Sequence, residues 1–360
     1  MISTQTHAPA DILLDVRDLT TQFSSPDGLV TAVDRIDLQV ARGRAFALVG
    51  ESGSGKSVTC ASIAGLPPPG ARVTHGEVRF DGIDLVRERP AALAALRGRR
   101  IGMVLQNAMT ALNPLMTVGA QLAETFRQHR GVKGRAQLRR LSIEALEAVG
   151  ISGAADRLGS YPFQFSGGMR QRVCIAIAIA AEPDLLLCDE PTTALDATVQ
   201  LQILRLLRDL QRQRGMTVVF VTHDLHVARQ FCDDVAVMYA GRIVEQGPIA
   251  DVFAHPVHPY TEGLLRATPR LGVHHTRLLT MPGHATSGHT QMPGCRFAVR
   301  CGEAHDRCRA SYPDWFGWED EGVKRAAACW NVPRRLAVPV VSDDTSTLHP
   351  KMRGPRHAAA

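Results

Sequence analysis

This 360-residue chain has no stretch apolar enough to cross a bilayer. Its longest apolar run, Val173 to Ala181, falls far short of the ~20 residues that a transmembrane helix needs. The opening residues, MISTQTHAPADILLDV, lack a positive n-region followed by an apolar core, so no secretory signal is expected. Both absences predict a protein that works in the cytoplasm, where thiols stay reduced. Also missing are an internal repeat, a heptad run and a strongly basic stripe; the last two argue against a coiled-coil insertion and a nucleic-acid binder. The formal net charge of +6 is modest for this length and reads as a solvated basic surface.

What the chain has is the make-up of a globular protein: 45% apolar and 21% charged residues. Near-alternate apolar positions from Leu13 to Phe23 and from Val30 to Val40 predict half-buried strands. Glu77 to Leu85 reads as a further hairpin after the Pro67–Gly70 break. Short apolar runs at Ala45–Val49, Leu185–Cys188 and Val218–Val221 predict buried parallel strands. Helical spacing dominates from about Thr117 to Arg157, and an amphipathic helix is expected from Val199 to Arg214. Val235–Tyr239 and Arg242–Gln246 suggest a closing hairpin. Strands alternating with helices imply an α/β core. After Pro269 a stretch rich in His, Pro and Gly reads as a linker, and the polar end of the chain reads as disordered.

The strongest local signal is Gly50-Glu51-Ser52-Gly53-Ser54-Gly55-Lys56-Ser57, which fits G-x-x-x-x-G-K-[ST] between an expected strand and an expected helix. Glycines let the backbone wrap a phosphate, and the helix start offers its positive dipole end to the same anion. Lys56 would reach the β- and γ-phosphates, and Ser57 would offer a hydroxyl to Mg²⁺. Asp189 ends an apolar strand and is the expected Mg²⁺ partner. Glu190 follows it, placed to polarise the attacking water.

Further motifs follow in one order. Phe165-Ser166-Gly167-Gly168-Met169-Arg170-Gln171 resembles the ABC signature, just before a helix expected from Arg170 to Ala181. Ala194-Leu195-Asp196 resembles the D-loop. His223 resembles the switch histidine, and Gln106 the Q-loop glutamine. Together with the phosphate loop these identify a resemblance to ABC transporter ATPases over about residues 12 to 265. Phe165 and Met169 depart from the usual leucine and glutamine, and Met169 matches the subgroup that carries Ser-Gly-Gly-Met-Arg-Gln-Arg. Three more features resemble the oligopeptide/dipeptide (and nickel) permease ATPases: Leu105-Gln106-Asn107-Ala108-Met109-Thr110-Ala111-Leu112-Asn113-Pro114; His258-Pro259-Tyr260-Thr261 with Gly263-Leu264-Leu265; and Gly294-Cys295-Arg296-Phe297 with Arg300-Cys301.

The resemblance implies a P-loop ABC nucleotide-binding domain over 12–265, with a RecA-like core, an antiparallel β-subdomain and a helical subdomain at about 107–165. A flexible N-terminus (1–11) would precede it, and a cysteine-containing extension (266–335) and a disordered tail (336–360) would follow. It also implies that Ser166, Gly167, Gly168 and Met169, with Asp196, meet ATP held by a second ATPase subunit. Gln106 would touch Mg²⁺ and water, His223 the γ-phosphate, and Phe23 the adenine; Val58 would complete the loop's nucleotide contacts. Expected partners are that second subunit, two permease subunits on the inner face of the membrane and, through them, an external binding protein. The implied reaction is ATP hydrolysis driving peptide import. Import of nickel or another solute, or a non-transport ABC ATPase, are the alternatives.

Eight cysteines divide into two groups. Cys60, Cys174, Cys188 and Cys232 sit singly among apolar residues and read as core. Cys295, Cys301, Cys308 and Cys329 follow C-x5-C-x6-C-x20-C, which in a reducing compartment reads as a metal site. Zinc sites usually show paired C-x2–4-C knuckles, which are absent here; wider spacing suits [4Fe–4S]. The family resemblance points to [4Fe–4S] as well. Zinc, or no metal, are the alternatives.

Overall fold

The computed structural model describes residues 11–26, 28–106, 108–193, 195–268, 281, 283, 292–320 and 323–337. Strands β1 (Ile12–Ser25) and β2 (Gly28–Ala41) form a long antiparallel hairpin, burying Leu14, Val16, Ile36, Leu38 and Val40. β3 (Ala45–Val49) leaves for a second sheet. β4 (Ala71–Phe80) then pairs with the free edge of β1, and β5 (Ile83–Asp84) completes the order β2-β1-β4-β5. β4 begins six residues before the expected Glu77, because Arg72, Thr74 and His75 are polar and carry little apolar signal. Pairing with β1, such as Phe23 opposite Ala71 and Thr20 opposite His75, recruits them into the sheet.

The second sheet adds β6 (Ile101–Val104), β7 (Leu185–Asp189), β8 (Thr217–Thr222), β9 (Asp234–Tyr239), β10 (Arg242–Pro248), β11 (Phe316–Asp320) and β12 (Val323–Ala327). Its order is β11-β12-β10-β9-β3-β8-β7-β6, with β9, β3, β8, β7 and β6 parallel and the other pairings antiparallel. Every residue of β3, β7 and β8 is buried, the pattern of strands covered on both faces. β11 and β12 come from the cysteine-bearing segment, and Glu245 and Gln246 of β10 pair with Ala327 and Ala326 of β12. That segment therefore continues the nucleotide domain's own sheet.

Helix α1 (Lys56–Ile63) follows β3, and α2 (Pro90–Leu96) and α3 (Ala108–Ala111) flank β6. Then come α4 (Val118–Arg130), α5 (Arg135–Ala148), the short α6 (Ala154–Arg157) and α7 (Gly167–Ile179). In α4, Val118, Leu122 and Phe126 face inward, one turn apart; Thr117 caps the start and Gly131, in the left-handed region, ends it. α7 starts three residues before the expected Arg170, because the Ser166 hydroxyl accepts from the Met169 amide and caps two glycines into the first turn. α8 (Ala197–Arg214) buries Ile203, Leu204, Leu207 and Leu210, and α9 (Leu225–Phe231) follows β8. α10 (Ile249–Ala254), α11 (Pro259–Ala267), α12 (Asp306–Ala310) and α13 (Val332–Ala337) complete the set.

One core lies between the central sheet and the helices, and a second between the two sheets and α1. Among the described residues no helix is long and apolar enough to cross a membrane. Asn107, Ala194, residues 1–10, most of the expected linker, and the tail from 338 onward lie outside the described residues, whereas Leu336 and Ala337 end α13.

Candidate nucleotide site

Four neighbouring parallel strands deliver the site's side chains to one edge of the sheet. β3 runs into the glycine loop, β7 ends at Asp189 and is followed by Glu190, His223 follows β8, and Gln106 lies two residues after β6. Ligands of open α/β sheets bind beyond these carboxyl ends.

The loop needs glycine at two places. A Cβ on Gly50 would lie 2.1 Å from the Met238 carbonyl oxygen, and one on Gly55, at φ +104°, would lie 2.5 Å from that of Ala32. Lys56, 4% exposed, donates from Nζ to the carbonyls of Gly50 (2.9 Å) and Glu51 (2.8 Å), so its ammonium is held inside the loop's curve. Burial lowers its pKa, partly offset by Glu190, Asp189 and Glu51. Ser57 donates to Asp189 Oδ1 at 2.9 Å. Burial is the main influence on Asp189 and raises its pKa. A hydroxyl and a carboxylate this close are hard oxygen donors and fit Mg²⁺, which is held by few protein ligands beside water and phosphate. Ser52 and Gly53 are exposed at the loop's crest, Ser54 is buried beneath it, and Val58 packs into the inter-sheet core.

Glu190 is gripped from three sides. Gln106 Nε2 donates to Oε2 at 3.0 Å, the Thr193 hydroxyl donates to Oε2 at 2.9 Å, and His223 Nδ1 lies 3.1 Å from Oε1. Its backbone sits at φ +45°, a conformation uncommon for a non-glycine residue. Burial pushes its carboxyl upward, but the His223 and Thr193 hydrogen bonds outweigh that and hold it below the usual range. The sequence brought Gln106, Glu190 and His223 forward but missed Thr193, whose only signal was its place three residues after Glu190.

Ser166 and Gly167 are exposed at the start of α7, and Gly168 leaves no room for a side chain: a Cβ would lie 2.6 Å from Val199 Cγ1. Met169 is half-buried. Asp196 caps α8, its Oδ1 accepting from the Thr198 (3.1 Å) and Val199 (2.9 Å) amides. Phe23 is half-buried on β1 opposite Val30 of β2, two residues from the Ala32 carbonyl that approaches Gly55.

The four C-terminal cysteines line one cavity, together with His258, Phe297 and Trp330. All eight cysteines are free thiols. Burial pushes the Cys295 thiol up to about 11 and the Cys329 thiol up to about 12, and raises Cys301. Among the described residues no group of three or more His, Cys, Asp or Glu is arranged to hold a metal ion. The expected [4Fe–4S] ligand set is thus brought to one cavity, but among the described residues it is not arranged as a metal-binding group.

A glycine loop, a strand-end Asp-Glu pair and a second glycine-rich helix start on one α/β sheet define a P-loop ATPase cassette of the ABC class. Residues 33–193 match the ABC transporter family, and residues 244–308 match the oligopeptide/dipeptide transporter C-terminal region. The chain is 43% identical over 333 residues to the dipeptide transport ATP-binding protein DppD of Bacillus subtilis, covering 92% of this chain and 98% of the relative. It is 44% identical over 311 residues to the oligopeptide transport ATP-binding protein OppD of Salmonella typhimurium, covering 86% and 92%. In structure it is similar to the dimeric ATP-binding cassette MJ0796 bound to ADP and phosphate, with a TM-score of 0.60, 30% identity, and coverage of 66% of this chain and 98% of that one. The chain belongs to the ABC transporter ATPases, in the family of oligopeptide and dipeptide transport ATP-binding proteins.

Proposed function

We propose that this chain is the ATP-hydrolysing subunit that energises import of oligopeptides or dipeptides. The observation that carries the reading is the match of its C-terminal region to that of peptide transporters, joined to relatives over nearly the whole chain. ATP would lie along the loop, with its phosphates toward Lys56 and its adenine toward Phe23. Ser57, Asp189 and Gln106 would hold Mg²⁺, which supplies charge neutralisation between the phosphates. Glu190 takes a proton from the attacking water; His223 and Thr193 keep its carboxylate ionised, and Gln106 helps to aim it. The Ser166–Met169 turn, exposed at Ser166 and Gly167, and Asp196 face a second cassette's ATP, using the anion affinity of a helix start. Two permease subunits and an external peptide-binding protein complete the assembly, with this chain peripheral at the membrane's cytoplasmic face.

The test is reconstitution with the permease and binding proteins in vesicles, measuring ATP turnover against added di- and oligopeptides or Ni²⁺. Stimulation by peptide-loaded binding protein is expected. Stimulation by the nickel-loaded form alone overturns the substrate assignment.

The same reading takes the cysteine cavity as a [4Fe–4S] site held by Cys295, Cys301, Cys308 and Cys329. Support comes from four thiols lining one cavity and from the soft, all-sulfur donor set. Ligation of iron by the four sulfurs as thiolates would tie folding of this segment to metal loading. Anaerobically purified protein should contain iron and sulfide and lose both in Cys301→Ser. Zinc without iron refutes the cluster; no metal at all refutes the site.

A further inference from the structure

Glu51, the second residue of the glycine loop, does not turn its side chain toward the nucleotide. Both carboxylate oxygens are taken by Arg300, with Nη1 to Oε2 at 2.7 Å and Nη2 to Oε1 at 3.0 Å. The Arg300 side chain is 4% exposed and that of Glu51 27%. The Glu51 amide donates to the Tyr260 hydroxyl at 2.9 Å, and its carbonyl accepts from Lys56 and from the Ser54 amide. All three polar parts of this residue are therefore fixed, two of them by groups beyond residue 258. Tyr260 is itself wedged against Tyr239 and Phe297, with ring centroids 4.6 and 5.4 Å away.

Arg300 immediately precedes Cys301, and Arg296 immediately follows Cys295. Arg296 bonds to Asp34 and to the Ala240 carbonyl. Asp34 also accepts from Arg242, and its amide donates to the Gly241 carbonyl. The Gly241 amide in turn donates to the Ser54 carbonyl at 2.8 Å. Two arginines of the cysteine segment thus reach the loop by separate routes, one at Glu51 and one at Ser54.

We infer that Arg300 is a positioning residue for the phosphate loop: its fork-shaped pairing with Glu51 sets the loop's conformation and neutralises a carboxylate beside the triphosphate. ATP affinity then depends on the folded cysteine segment. The inference rests on the nucleotide site described above. A bidentate guanidinium–carboxylate pair is directional as well as charged, so lysine replaces only part of it.

Mg-ATP is titrated calorimetrically into the full-length chain, and steady-state KM and kcat are measured in the assembled transporter. Arg300→Ala should weaken ATP binding about tenfold and raise KM in step, with kcat at saturation within about twofold. Arg300→Lys should fall between it and wild type. Adding Glu51→Gln to Arg300→Ala should recover part of the lost affinity, because the uncompensated negative charge is gone while the fork-shaped hold on the loop is not restored. A merely structural Arg300 would lower melting temperature without moving KM. Unchanged affinity in folded Arg300→Ala, or in Arg300→Lys if the alanine variant does not fold, overturns the inference. Lys56→Ala is the control: normal ATP binding there overturns the nucleotide site itself, whereas its loss beside an unaffected Arg300→Ala overturns only the brace.

Discussion

The nucleotide edge and the cysteine-bearing segment are built by opposite means. At the nucleotide edge, parallel strands a few residues long end at, or within two residues of, the candidate site's side chains, so each group lies beside the strand or helix that places it. Gln106, Asp189, Glu190 and His223 need only neighbouring strands in register. The cysteine segment is held by contacts between residues far apart in the chain: β12 on β10, Arg325 on Glu245 at 3.0 Å, Arg296 on Asp34, Arg300 on Glu51. The proposed catalytic chemistry is local and carried by motifs; attachment is non-local and carried by strand pairing and buried charge.

The sharpest way to separate the two regions is Glu190→Gln. Turnover should fall by roughly 10²–10⁴-fold, as expected for removal of a general base, with ATP binding retained and the cysteine segment as protease-resistant as before. Near-normal turnover would break the assignment of chemistry to this edge.

A smaller effect should appear in pH-dependent stability. His258, fully buried at the start of α11, accepts from the Tyr260 amide at 3.1 Å. Burial, with Arg335 nearby, lowers its pKa from 6.5 to about 3. The unfolded chain therefore takes up a proton before the folded one does. Its stability contribution is whole above the unfolded value, declines as pH falls below it, and is gone by the folded one. The slope is about 1.4 kcal/mol per pH unit. Urea midpoints from pH 7.5 down to 5 should show this loss, and His258→Asn, which keeps a capping acceptor but no titrating ring, should flatten it. An equal slope in the variant would move the acid sensitivity elsewhere.

The smallest expected effect returns to the nucleotide edge. Thr193→Val removes one of the hydrogen bonds that hold the Glu190 carboxylate below its usual range. A bond of about 1 kcal/mol corresponds to about fivefold in kcat. The acid limb of the pH–rate profile should shift upward, since less now favours the ionised form. An unchanged profile would make Thr193 a bystander.

The central strands β3, β7 and β8, the loop and its helix, the Asp-Glu pair, the signature and the switch motif were readable, because each rests on contiguous apolar runs or fixed spacings, whereas the parallel pairing of β9 with β3 was not. The early start of β4 was hidden, because its first residues are polar and join the sheet only through β1. Thr193 was hidden too, since a lone threonine carries no pattern until a turn brings it back to Glu190.

By itself, the sequence determined the class of cassette and singled out its candidate nucleotide-facing residues, since phosphate binding demands glycine, lysine and carboxylate at set intervals along one strand–loop–helix. Only the tertiary structure decided that β11 and β12 extend the central sheet, and that Glu51 faces Arg300 rather than the nucleotide. Those choices depend on which strands and side chains far apart in the chain find each other, as Glu51 finds Arg300, 249 positions away, a matter of packing that no local spacing encodes.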